Sequence, residues 1–159
     1  TGLNQEAAAA TFLGAYDQRV AAIKTLLPTD KATEANVARW MPQGPVIMMP
    51  AIFSSLVLAD LGISRPVAIA ELAGSHGAHT DPLSLEALDL LESEWLFLGA
   101  LNPEGASALE AALDNPLFQK LNVVQNNQVV VVDGAVWTSI GGPLAALVML
   151  DDVEAALQQ

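Results

Sequence analysis

WLFLGALNPEGASALEAAL, residues 95–113, holds two elements side by side. The apolar run from Trp95 to Leu98 predicts a buried strand. Asn102-Pro103 then opens a helical region that runs to Leu113. The same alternation recurs outward in both directions. Toward the amino end, Ser84 is expected to cap a helix carrying Leu85, Leu88 and Leu91. Before it come a loop at 71–82, a strand at 67–70, a helix capped by Ser54 and ended by Gly62, and a short strand at 46–49. Toward the carboxyl end, a short turn at 117–121 leads to a strand at 128–132. Pro143 then suits the first position of a last helix, where its missing N–H costs nothing. Ala146, Leu150, Val153 and Leu157 form that helix's buried stripe. Alternating strand and helix predicts an α/β fold: a mostly parallel central sheet with helices on both faces, a Rossmann-like lobe. The run of four valines at 129–132 fits a strand buried on both faces.

Residues 5–27 read as a long helix, capped by Asn4 and stopped by Pro28. Its apolar face carries Ala9, Phe12, Leu13, Tyr16, Val20, Ile23 and Leu27. Residues 28–45 contain three prolines and little periodicity, so they read as a loop, with Trp40 on the edge of the core. The chain therefore divides into 1–43, a helix and linker, and 44–159, the lobe.

The 159 residues are 52% apolar and carry a net charge of −12 with six basic side chains, a balance that excludes a nucleic-acid partner and disfavours an anionic membrane surface. With no cysteine there is no disulfide, zinc–thiolate site or Cys nucleophile. The opening TGLNQEAAAATF has neither the basic head nor the apolar centre of a signal peptide, which leaves a cytosolic, processed or excised chain as the expectation.

Ligands of open α/β sheets bind beyond the carboxyl ends of the strands. That rule selects the loops 49–55, 71–82, 99–105 and 133–142, and with them Phe53, Asn102, Trp137 and Ser139 as candidate contacts. By position alone Trp137 could equally be core. Gly141-Gly142-Pro143 leads into a helix but lacks the Walker lysine and the G-x-G-x-x-G spacing, so a sharp helix entry explains it better than a phosphate site. His76, His79 and Asp81 sit in one loop without a further fixed ligand, and no metal or other cofactor is assigned. No nucleophile–base motif is present, so an enzyme is not expected. The many acids read as solvated helix faces.

Three passages in order, LSLEALDLLESEWLFLGAL (83–101), NPLFQKLNVVQNNQVVVVDGAVW (115–137) and GGPLAALVMLDDVEAAL (141–157), resemble the C-terminal lobe of the substrate-binding proteins of ferric-siderophore and cobalamin ABC importers. The helix at 5–27 resembles the rigid helix that joins the two lobes of that family. The resemblance implies an extracytoplasmic receptor that holds a ferric siderophore between two lobes and delivers it to an ABC permease. This chain would supply one lobe, the N-terminal lobe being missing. It also implies that Trp137 contacts ligand and that Glu86, at a Ser-x-Glu helix start, docks on the permease. A carboxylate in that first turn also favours the helix dipole. The loop MMPAIFSS (48–55) lacks the arginine that would meet an anionic ligand, which favours a neutral hydroxamate-type chelate. The competing reading is a small Rossmann-like nucleotide-binding enzyme domain using Gly141-Gly142 and Asp133.

Overall fold

The computed structural model describes residues 6–72 and 77–159. Asn4 and His76 lie outside them. Helix α1 (Glu6–Lys24) is followed by strands β1 (Thr33–Met41) and β2 (Gly44–Ile47), helix α2 (Phe53–Asp60), the two-residue strand β3 (Ile63–Ser64) and helix α3 (Val67–Leu72). A 3-10 helix (Leu85–Leu91) leads to β4 (Trp95–Ala100) and α4 (Pro103–Leu113). A short 3-10 turn (Phe118–Lys120), α5 (Asn122–Gln125), β5 (Val129–Val131), α6 (Gly134–Thr138) and α7 (Pro143–Leu157) complete the chain.

The sheet order is β2-β1-β4-β5, with β3 beside the first residues of β1. β1, β3, β4 and β5 run parallel; β2 turns back antiparallel on β1, Met41 facing Gly44. Successive side chains of a strand point to opposite faces, and each face of this sheet has its own core. Ala35, Val37 and Phe97 pack with Ile23, Leu58, Trp137, Met149 and Leu150. Ala38, Trp40, Leu96 and Leu98 pack with Leu91, Leu109 and Phe118. The α/β lobe with a long first helix is thus as expected.

Four local expectations are corrected. The loop expected over 28–45 contains β1, the strand that pairs on both edges and forms the middle of the sheet. A lobe boundary at 43/44 would therefore fall in the tight turn between β1 and β2. Thr-Glu-Ala-Asn-Val-Ala is not a strand-forming composition; pairing on both edges overrides that preference. Asn36, wholly buried within β1, donates through Nδ2 to the carbonyls of Leu90, Leu91 and Glu92 at 3.2 Å each, closing the end of the 3-10 helix. The strand expected at 67–70 is α3 instead, because β2 and β3 already occupy that edge of β1. Ser54 does not cap α2: Ile52 holds the cap position, and the buried Ser54 hydroxyl has no partner. The valine strand is not buried on both faces; β5 is the sheet's last strand and Val131 is 61% exposed.

The last helix forms as read. Pro143 is its first residue, and Ala146, Leu150 and Val153 are buried. Helix α1 is fastened to this lobe through its second half. Tyr16 Oη donates to Asp60 Oδ2 at 2.8 Å, and burial, together with this bond, raises the phenol's pKa. Arg19 forks onto Asp151 and Glu154 of α7 at 2.5 and 2.6 Å.

Candidate functional site

β1, β4 and β5 end at one edge of the sheet, and the chain beyond them is fitted without slack. A Cβ on Gly134 would stand 2.4 Å from the Ala100 carbonyl oxygen, and one on Gly105 would stand 2.8 Å from that of Trp40. Only glycine permits α6 to start against β4, and α4 against β1, at these distances. The two helix starts are capped from their own loops. Asp133 Oδ1 accepts from the amides of Ala135 (2.8 Å) and Val136 (3.1 Å), and Asn102 Oδ1 accepts from Gly105 at 2.8 Å. Asn102 is thus spent in part on its own helix.

Of the hollows along this edge, two take in the expected contacts. One, about 240 Å³, is lined by Ile52, Phe53, Trp137, Thr138, Ser139 and neighbouring backbone. It brings together three of the four expected contacts. The other, about 90 Å³, is lined by Arg39, Trp40, Met41, Pro42, Leu101 and Asn102. Ser139 and Asn102 are exposed, and Phe53 is half-buried.

Trp137, expected as a ligand contact, packs as a core residue of this lobe. It is 1% exposed, stacks on Phe97 with ring centroids 4.4 Å apart at 12°, and donates through Nε1 to Asp152 Oδ2 at 2.8 Å. The short helix α6 lays it flat on the sheet, so the indole supports the edge rather than presenting its face there.

Arg39 is not singled out by the sequence, because 28–45 reads as a loop. It stands near the carboxyl end of β1, half-buried, with its Nε buried and without a hydrogen-bond partner. Among the described residues it makes no ion pair, whereas Arg19 and Lys31 do. The loop 48–55, after the expected first strand, lacks an arginine; β1, the first strand of the sheet, carries one. The available signal was the split of apolar positions, 35 and 37 to one face, 38 and 40 to the other. Arg65 differs. Its Nη2 donates to the Met48 carbonyl at 2.6 Å, its other nitrogens are enclosed, and burial pushes its pKa down to about 10. It lies beside β3, level with the middle of β1, away from the hollows.

Glu86 is exposed in the first turn of the 3-10 helix. Just before that helix, the Leu83 amide donates to the Pro45 carbonyl at 2.8 Å, which sets its start beside the β1–β2 turn, at the same edge as Arg39. The loop 71–82 is only partly described: its residues 78–80 lie along β2, with a bridge from His79 to Met48. Among the described residues no three His, Cys, Asp or Glu side chains gather as a metal site. Gly142, at the start of α7, has a φ of 96°, the left-handed geometry that a sharp helix entry requires.

Residues 1–136 match the periplasmic binding protein family. The chain belongs to that family, one of binding proteins rather than enzymes. It is 32% identical over 105 residues to the achromobactin-binding periplasmic protein of Dickeya dadantii, covering 66% of this chain and 34% of that one. It is 33% identical over 90 residues to the Fe(3+) dicitrate-binding periplasmic protein FecB of Escherichia coli, covering 57% and 27%. The fold is that of Staphylococcus aureus SirA, solved in complex with staphyloferrin B: TM-score 0.80 at 22% identity, over 98% of this chain and 57% of that one. The matched segments thus span about a third of the length of these curated relatives.

Proposed function

We propose that this chain is the C-terminal lobe, with its connecting helix, of an extracytoplasmic receptor that holds a ferric siderophore between two lobes and delivers it to an ABC permease. Arg39 is the observation that carries the ligand side of this reading. A cation without an ion-pair partner among the described residues, at the binding edge of a chain with net charge −12, is poised for an anionic ligand. The neutral hydroxamate expectation rests on the arginine-free loop 48–55 and the acidic charge; Arg39 supplies a cation at that edge from β1 instead. An anionic, carboxylate-type ferric chelate fits better, in keeping with a relative named for ferric dicitrate. Phe53, Ser139 and Asn102 supply an apolar wall and neutral hydrogen-bonding groups beside it. Glu86, on the same rim, is the docking carboxylate for a basic permease surface. The buried Trp137 acts at one remove, by holding α6 in place.

The test is titration of the full-length gene product with ferric citrate and with a neutral ferric hydroxamate. Ferric citrate is expected to bind more tightly. Arg39→Gln should weaken it roughly 10- to 100-fold, the effect of losing one or two charge-assisted hydrogen bonds, with the melting temperature unchanged. Tighter binding of the hydroxamate, or an unchanged ferric citrate affinity in Arg39→Gln, would refute the anionic reading.

A further inference from the structure

The two edges of the sheet end differently. Beyond β2, residues 78–80 run alongside as a cover: the Met49 amide donates to the Ala78 carbonyl at 2.9 Å, and the Thr80 amide to that of Ile47 at 3.0 Å. Beyond β5 no further strand stands among the described residues. The Gln128 carbonyl accepts from the Leu96 amide and the Val132 amide donates to the Leu98 carbonyl, both at 3.0 Å. Backbone groups alternate in direction along a strand. Val130 therefore also faces β4, while the N–H and C=O of Val129 and Val131 point outward. Natural proteins blunt such an edge with a charged side chain, a proline or a bulge. Residues 128–132 carry no charge and no proline, and the ladder from 129 to 131 runs without a bulge.

Beside this edge, between α4 and the end of β5, lies an open groove of about 430 Å³. Its wall is apolar, from Ala100, Leu109, Leu113 and Val131, the last 61% exposed. Its charged groups are the carboxylates of Glu110 and Asp133, both exposed. Asp133 uses only Oδ1 on its helix cap. Among the described residues no basic side chain lines the groove.

We infer that β5 and this groove form a strand-addition site for an extended segment of a partner protein, one that carries Lys or Arg beside an apolar side chain. Laid along β5, such a segment exchanges main-chain hydrogen bonds with Val129 and Val131. Its side chains on the α4 face, two residues apart, reach the apolar wall and the two carboxylates by turns. Charge decides between a basic segment and a second copy of this chain. Each copy carries −12, and two copies paired at β5 would bring the Glu110 and Asp133 carboxylates of one toward those of the other. A lysine-bearing segment meets the same carboxylates favourably.

The probe is a dye-labelled, capped peptide built on the repeat Val-Thr-Lys-Thr, which sets valine and lysine by turns on one face of a strand. Titrated at low salt into the full-length gene product, it should bind about tenfold or more tightly than the same repeat with Glu in place of Lys, and added salt should weaken it. Amide exchange over 129–131 should slow roughly tenfold when it is bound. Val131→Pro removes one outward donor at a position where proline is tolerated, because that N–H does not serve the ladder. It should lower peptide affinity roughly tenfold, the effect of about one lost hydrogen bond. Glu110→Lys, exposed on α4, should weaken the basic peptide without touching the strand. Equal affinity for the two peptides, no binding of either, undiminished binding in either variant that folds, or unchanged exchange over 129–131 with peptide bound would each overturn the inference. So would a gene product that already protects 129–131 without peptide, as a dimer or through another part of its own chain.

Discussion

Trp137 and Arg39 both lie toward the carboxyl-end edge of the sheet, one buried beneath it and the other half-buried at it. The aromatic, a natural ligand contact, lies flat against Phe97 beneath α6 and is held by Asp152. The cation, in a stretch that reads as linker, makes no ion pair among the described residues where β1 ends. The difference separates the floor of the candidate site from its rim. Floor residues are fixed by packing on several elements, so changing them costs stability. Rim residues touch little within the chain, so changing them costs binding or docking.

The largest effect should come from the floor. Trp137→Ala removes a stacked, fully buried indole and leaves the Asp152 carboxylate without its donor, so about 3–5 kcal/mol of stability should be lost. Chemical denaturation measures this directly. A loss below ~1 kcal/mol would return Trp137 to the rim and dissolve the distinction.

Gly134→Ala sharpens the comparison at the junction between floor and edge. The added methyl meets the backbone of Ala100 rather than a yielding side chain, so α6 must shift, at a cost of about 1–3 kcal/mol. The indole emission of Trp137 should move with it. A variant as stable as the parent would mean that α6 is free to slide, and that the edge is less closely built than these distances imply.

Glu86→Arg should have the smallest effect on folding. The side chain is exposed in a first turn, where reversing its charge opposes the local dipole by at most about 1 kcal/mol. Transport by the intact importer should nevertheless fall sharply, because like charges would meet at a basic permease surface. Ligand affinity of the purified receptor should stay as it was. Normal uptake by this variant would remove Glu86 from the docking surface and leave only its place at a helix start.

The contrast between floor and rim has a counterpart in what could be read from the residues. Where local signals agreed with one another, the elements came out at once. Asn102-Pro103 opens α4 and caps it, Pro143 opens α7 above a buried Ala146–Leu150–Val153 stripe, and the apolar run at 95–98 lies within β4. Where neighbours decided, reading failed. Val67 to Ala70 has strand-forming side chains, but the edge of β1 was already filled by β2 and β3. Four valines look buried on both faces until the sheet is found to end with them. Arg39 could not be placed at the carboxyl end of a strand until Thr33–Met41 was known to be one.

The sequence by itself determined the alternating α/β architecture, the long first helix, the order of passages that carries the family resemblance and the acidic surface, because composition, periodicity and caps act over a few residues. Only the tertiary structure decided which strand lies at the centre, which aromatic is floor, which cation faces the edge and which side of the sheet is left uncovered. Those outcomes depend on contacts between residues far apart in the chain. Trp137 is sealed by Phe97 and Asp152, and Arg39 stays unpaired because no carboxylate among the described residues folds within reach of it.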